Sequence, residues 1–280
     1  MTVSIWVGFD PRETAEFAVA KMSVERHGLR HWHVNGLVLN RLKEAGLYTR
    51  PMEMRPGVDR PIMWDVISDA PMSTQHACSR FLVPYLAKQG ARIKYTTLSG
   101  QVKEIGGSPG WALFMDGDMM VRQNMTPLFA KLDQKYAIYC VHHKYEPPAG
   151  TKMDGQPQTQ YGRKNWSSFL IFNPDHPAND KLTVEMVNTL PGRDLHRFCW
   201  LEDRHIGELD QKWNFLVGHT DPAIDPANVH WTSGTPAMKG YENAPFADEW
   251  NRMLEDWALG SGEVAMRRAM PAQQVLHPCA

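Results

Sequence analysis

Hydrophobic and polar positions change period repeatedly along this chain, and each change marks an expected element. Residues 3–9, VSIWVGF, are rich in β-formers and predict a strand that runs directly into Asp10-Pro11-Arg12-Glu13. That order is the signature of a helix start: an Asp cap, a proline in the first turn and a returning acid at the third position. Apolar groups at Ala15, Ala18, Val19 and Met22 keep the helical period as far as Gly28, so the opening is read as a βα unit. A short strand is expected at Leu37–Leu39. The stretch 49–64 holds prolines and a glycine without any period and is read as a loop over one face. Ala77, Phe81 and Tyr85 predict a helix capped by Ser73 or Thr74 and running to Lys88, with Arg80 on it.

After turn material at 106–110 comes WALFM, an unbroken apolar run that stops at Asp116, the pattern of a strand buried on both faces. Thr126-Pro127 opens a further helix. YAIYCV (136–141) and SFLIF (168–172) predict two more strands, with a polar loop at 146–164 between them that can serve as a mobile lid. A helix near Lys181–Leu190, a Trp-containing segment to Asn214, a strand at Asn228–Trp231 and a last helix with Trp250, Leu254 and Trp257 on one face complete the reading. Strands alternating with helices predict an open α/β sheet. At 280 residues the chain is taken as one domain, with halves at 1–130 and 131–245 and a C-terminal helical part at 246–280.

Composition narrows the function classes. Thirty basic and thirty-one acidic side chains leave no net field to draw the protein to nucleic acid or anionic membranes, so an anionic ligand must be held by local groups. The four cysteines are widely spaced without a C-x-x-C pair, and the first residues show no basic-then-apolar leader; the expectation is a reduced, cytoplasmic protein. No run approaches the roughly 18 to 20 apolar residues that span a bilayer. Ten tryptophans are many for this length, and most are expected in the core.

The strongest chemical signal is ALFMDGDMMV, where two carboxylates two apart end a buried strand. Ligands of open α/β sheets bind beyond the carboxyl ends of the strands, which puts Asp116 and Asp118 where a substrate would lie. Such hard oxygen ligands suit Mn²⁺ or Mg²⁺ bridging to a diphosphate, and Gly117 between them allows a close backbone approach. A solvent-facing Asp-Gly turn is the bland alternative. Haloacid-dehalogenase phosphatases also place D-x-D after an apolar strand, but Met120 stands where they need Thr or Val. Near the other end, in VHWTSGTPAMKGY, His230 leaves a short strand and is followed by Gly234 and Lys239. An imidazole suits a third metal position, and a lysine close behind it can meet a departing phosphate.

These landmarks together resemble the GT-A glycosyltransferases, and within them glycosyltransferase family 8 with its bacterial and phage relatives. The matching segments are IWVGFDPRE, SRFLVPYL (79–86), LFMDGDMMVRQNMTPLF (113–129), KNWSSFLIFN (164–173) and the His-to-Lys stretch. The resemblance implies a Rossmann-like nucleotide-diphospho-sugar transferase fold with a mixed open sheet flanked by helices. It implies metal ligation by Asp116, Asp118 and His230, and contact to the nucleotide by Phe9, Asp10, Arg12, Arg80, Asp116, Gly234 and Lys239. Asn165, Trp166, Ser167 and Ser168 fall on the donor-sugar segment, where the family usually shows Asn-Ala-Gly. The family's acidic group near the anomeric carbon matches Asp203 best, because Lys212-Trp213-Asn214 fits a later W-N landmark; Glu202 and Asp210 are the reserves. The implied reaction is metal-dependent transfer, with retention, from a UDP-sugar to a glycan, protein or small-molecule acceptor. A sugar nucleotidyltransferase would need a Gly-rich basic loop after the first strand, which FDPRETAEF is not. A non-catalytic nucleotide-sugar-binding module is the other rival.

Overall fold

The computed structural model describes residues 3–57, 61–88, 93–96, 100–105, 110–144, 163 and 165–260. Along the chain, β1 (Val3–Gly8), α1 (Thr14–His27), β2 (His33–Leu37) and α2 (Leu39–Glu44) lead to a small antiparallel sheet of β3 (Met52–Arg55), β4 (Ile62–Asp65) and β5 (Ala70–Pro71). After α3 (Val83–Lys88) come the paired β6 (Ile93–Thr96) and β7 (Val102–Ile105), then β8 (Trp111–Met115), β9 (Met119–Val121) and α4 (Thr126–Ala130). Next are β10 (Ile138–Cys140), β11 (Phe169–Phe172), α5 (Val184–Thr189), α6 (Gly192–His196) and β12 (Ile206–Glu208). β13 (Phe215–Leu216), β14 (Asn228–His230) and α7 (Ala247–Ala258) follow.

Six strands form the main sheet in the order β12-β10-β11-β8-β1-β2. β11 runs antiparallel to both of its neighbours, and the other pairings are parallel. The carboxyl ends of β1, β8, β10 and β12 therefore share one edge. Strict alternation sends the sheet's side chains to two cores. Trp6, Phe114, Leu170 and Phe172 meet Phe81, Leu86 and Val187 on one face; Ile5, Val7, Leu113, Met115 and Ile171 meet Ala20, Val24 and Phe129 on the other. All five residues of β8 are buried, as expected of a strand covered on both sides.

A second sheet, β13-β14-β9, grows out of the carboxyl end of β8. Its antiparallel pairing sets His230 opposite Met119, one residue after Asp118. Val229 and Met120 are packed there beneath α1 and α7 through Val19, Met22, Trp250 and Met253.

Several elements differ from expectation for identifiable reasons. The stretch 49–64 is not a featureless loop: it contains the β3–β4 hairpin, whose first strand is largely exposed and so lacks an apolar period. β2 ends at Leu37, and Leu39 opens α2. Asp10 does not cap α1, which starts at Thr14 after Glu13, because both Asp10 oxygens are taken by Arg12 and by the Gln75 amide. No Ser73 or Thr74 cap forms either: the chain passes through turns and a 3₁₀ segment (Ser79–Leu82) before α3. On α7 the buried positions are Ala247, Trp250 and Met253, while Trp257 is 55% exposed. Trp257→Ser is accordingly expected to change unfolding free energy by no more than about 0.5 kcal/mol, and a larger loss in urea titration would show that the ring is covered. Most of the turn expected at 106–110, most of the lid expected at 146–164, and residues 261–280 lie outside the described residues.

Candidate active site

Asp116 sits at the carboxyl end of β8, where its backbone N–H donates to Ser168 O (2.9 Å) and extends the pairing with β11 by one step. Its carboxylate is gripped from the 76–80 segment. Arg80 reaches both oxygens, at 2.8 and 3.2 Å, and His76 Nε2 lies 3.1 Å from Oδ1. Arg80 is itself buried: it donates to Ser167 O (2.9 Å) and lies over the Phe114 ring. Burial alone would raise the Asp116 carboxyl, but the Arg80 charge and the His76 hydrogen bond outweigh it and hold the group well below the usual carboxylate range.

Two glycines make this approach possible. A Cβ on Gly8 would meet the His76 ring at 2.6 Å, and one on Gly117 would come within 2.8 Å of Gly8 O. The acidic turn thus lies directly against the end of β1, where only glycine fits.

Asp118 is held by the second sheet. Its carbonyl accepts from Trp231 N (3.1 Å), and its Oδ2 lies 3.4 Å from His230 Nε2. Its Oδ1 is buried without a hydrogen-bond partner among the described residues. Ligand atoms of Asp116, Asp118 and His230 all lie within 4.8 Å of one another. Two carboxylates and an imidazole form a donor set suited to Mn²⁺ or Mg²⁺, and the unpartnered Asp118 oxygen is what a cation would satisfy. The surroundings agree. Burial, then the negative charges of Asp118, Asp10 and Glu16, push the Glu13 carboxyl up to about 8; a divalent cation would relieve that crowding. The residues fit a metal.

The segment matched to the donor sugar lies beside this cluster. Asn165 is left-handed, with φ of 63°. Ser168 Oγ donates to Asn165 O (2.6 Å), and Ser167 Oγ lies 2.7 Å from His196 Nδ1. Trp166 donates to His143 O, and its ring stacks flat on His142 at 4.1 Å. Burial, and then the neighbouring His230 and His142, push His143 down to about 3, so it is neutral at physiological pH.

At the end of β1, Asp10 and Arg12 are locked to each other, and Arg12 also donates to Ser73 O (2.6 Å). Phe9 stands edge-on to Phe17. The three share the sheet edge with Asp116, but the Asp10 carboxylate is already occupied. The candidate acids have other partners. Asp203, 89% exposed in the turn entering β12, pairs with Arg163, whose guanidinium lies over the Trp166 ring. Glu202 pairs with Arg204, and Asp210 accepts from Lys212 N in the turn leaving β12. Gly234 is covered by the Tyr241 ring, and Lys239 is exposed in the following turn.

Four neighbours of the cluster were not read as site residues from the sequence: His76, His143, Glu13, which was read only as part of a helix start, and Asn214. His76 stands one helical turn before Arg80, a spacing that can signal a shared target. Asn214 was visible only as half of a W-N landmark.

A mixed sheet flanked by helices, with an acidic turn at the carboxyl edge and a small second sheet carrying the histidine, defines a GT-A glycosyltransferase fold. Solved structures share it. The bifunctional glycosyltransferase WbbM superimposes with a TM-score of 0.54 at 15% identity, over 96% of this chain and 52% of its own. GlyE of Streptococcus pneumoniae TIGR4 gives 0.53 at 12%, over 95% and 62%. The galactosyltransferase LgtC gives 0.50 at 14%, over 90% and 95%. The chain thus spans about half of WbbM and under two thirds of GlyE. By sequence it belongs to the family of Protein CDI of Arabidopsis thaliana, to which it is 36% identical over 258 residues, 90% of this chain and 86% of that protein. No family model matches the chain. Among the described residues, no helix is long and apolar enough to cross a membrane.

Proposed function

We propose that this chain is one catalytic domain, a metal-dependent glycosyltransferase of the family 8 type that moves a sugar from a nucleotide-diphosphate donor, a UDP-sugar, with retention. The observation that carries the reading is the convergence of Asp116, Asp118 and His230 at the carboxyl edge of a glycosyltransferase sheet. Bound Mn²⁺ or Mg²⁺ supplies positive charge against the leaving diphosphate. Arg80 and His76 keep Asp116 ionised and held at the end of β8. Phe9, Arg12 and Asp10 line the nucleotide side, with Gly234 and Lys239 on the phosphate side. Asn165, Trp166, Ser167 and Ser168 are assigned to the sugar in this reading. The acceptor is a glycan, protein or small molecule. A reducing, cytoplasmic setting is part of the same reading; among the described residues Cys78, Cys140 and Cys199 form no disulfide.

The test is nucleoside diphosphate release from UDP-, GDP- and ADP-sugars with Mn²⁺ or with chelator. Turnover of one donor only with metal is expected. Absence of both turnover and metal-dependent UDP binding in calorimetry would transfer the protein to the non-catalytic module.

For the acid beside the sugar, Asp203 is proposed for its exposed carboxylate, tied through Arg163 to the Trp166 segment; Asp210 is the rival, because it leaves β12 on the edge that Asp116 shares whereas Asp203 enters β12 at its amino end. Asp203→Ala is expected to lower turnover by on the order of 10²-fold, and Asp210→Ala by far less. The reverse order in steady-state assays would reassign the role.

A further inference from the structure

Asn214 is completely buried and touches both halves of the site. One end of its amide lies 2.9 Å from Ser168 Oγ and 3.2 Å from Asn165 O; the other lies 2.9 Å from His230 Nδ1. A backbone carbonyl only accepts, so the end facing Asn165 must be the NH₂ group. Ser168 gives the same answer independently. Its hydroxyl hydrogen is committed to Asn165 O, so toward Asn214 its oxygen can only accept.

The end facing His230 is therefore the amide oxygen, which cannot donate, and the hydrogen between them belongs to Nδ1. We infer that Asn214 is a positioning residue that fixes His230 in the Nδ1–H tautomer, leaving the Nε2 lone pair directed toward Asp118. With the ring neutral, Nε2 and Asp118 Oδ2, 3.4 Å apart, are both acceptors. Two facing lone pairs repel unless a cation lies between them, and a neutral imidazole presenting Nε2 is the ligand form of histidine. The orientation is built in before any metal arrives. It also couples the two halves, because the amide that orients His230 is itself oriented by Asn165 and Ser168, and Ser168 O receives the Asp116 N–H. The inference rests on the metal reading for its purpose, but the tautomer is measurable without metal.

The experiment uses the full chain, labelled with ¹⁵N-histidine and metal-free. His230 is assigned by the signal lost in His230→Gln, and its tautomer is read from two-bond nitrogen–proton correlations. At a pH where the ring is neutral, the wild type is expected to show protonated Nδ1 and unprotonated Nε2. Asn214→Leu, similar in size but without polar atoms, is expected to lose that preference and to bind Mn²⁺ about 10- to 100-fold more weakly in an electron-paramagnetic titration. Asn214→Asp is expected to keep Nδ1–H, since a carboxylate oxygen accepts in the same place, but to lose stability, because its second oxygen faces Asn165 O without a hydrogen to donate. A wild-type His230 carrying its proton on Nε2 overturns the inference whether or not any variant folds. So does an Asn214→Leu protein with unchanged tautomer and Mn²⁺ affinity while His230→Gln loses the metal. If no protein binds Mn²⁺ yet the tautomer behaves as stated, the Asn214 assignment stands and the metal reading falls.

Discussion

Asp118→Asn is expected to lower metal-dependent donor turnover by on the order of 10³-fold or more, about 4 kcal/mol of lost stabilisation, without lowering thermal stability in chelator. The two parts follow from different atoms. The backbone contribution of Asp118, its carbonyl accepting from Trp231 N, survives the change. So does side-chain volume. What disappears is the negative charge beside His230 Nε2, and one of the two carboxylate oxygens becomes an NH₂ group that cannot ligate a cation. Asp118 also adds to the negative surroundings that raise Glu13, so its neutralisation removes repulsion within the metal-free fold. Melting in chelator is therefore expected to be unchanged or slightly higher.

The wild type should gain Tm with added Mn²⁺, because a ligand that binds only the folded state stabilises it by mass action, and Asp118→Asn should not. Asp116→Asn makes the contrast. There the lost charge leaves Arg80 and His76 without their anion in a buried setting, so activity and stability should fall together. Normal turnover in Asp118→Asn would sink the site assignment, and loss of turnover matched by loss of stability would show a structural role.

What the sequence disclosed and concealed has a physical pattern. Asp116 and Asp118 were legible because they stand between two buried apolar runs, β8 and β9, where a charge has no packing reason to exist, and His230 because it closes a short buried strand. The sheet was legible for a related cause: β8 and β11 are covered on both faces and carry unbroken apolar runs, and β1 is interrupted only by Ser4 before its closing glycine. The hairpin in 49–64 was not, since the burial of β3 is too slight to impose a period. Asp10 misled because one carboxylate serves equally as a helix cap or as the partner of a guanidinium two residues on, and only the fold brings Arg12 and Gln75 N to it. His76 and Asn214 act across long sequence separations set by strand pairing. Polar residues that orient other polar residues leave no periodic trace, which is why they surfaced only with the geometry.

Asp65→Ala is expected to cost about 3–5 kcal/mol of stability, because it strands a buried guanidinium. Arg50 and Asp65 are 0% and 1% exposed and bonded in parallel, at 3.1 Å from Nε and 2.5 Å from NH2. Burial would drive Arg50 toward losing its charge, but its hydrogen bonds to Asp65 more than offset this and keep it charged. Its NH1 caps the end of α5, donating to Val187 O (2.8 Å) and Leu190 O (2.6 Å). Ser68 completes the clasp, donating from its backbone to Asp65 (3.1 Å) and accepting from Gly192 N (2.7 Å). The β3–β4 hairpin is thus fastened to α5 and α6 by one charge pair. At roughly 2 °C per kcal/mol for a chain of this size, Tm should fall by about 6–10 °C. Arg50→Met with Asp65→Leu removes both charges and should recover part of the loss, though not the bonds to Val187 and Leu190; the double-mutant cycle isolates the pair. A cost below about 1 kcal/mol for Asp65→Ala would mean that water reaches Arg50 and that the hairpin is only loosely attached. Since no atom of the clasp belongs to the metal cluster, the Mn²⁺-induced gain in Tm should persist in Asp65→Ala, which separates fastening the fold from holding the cation.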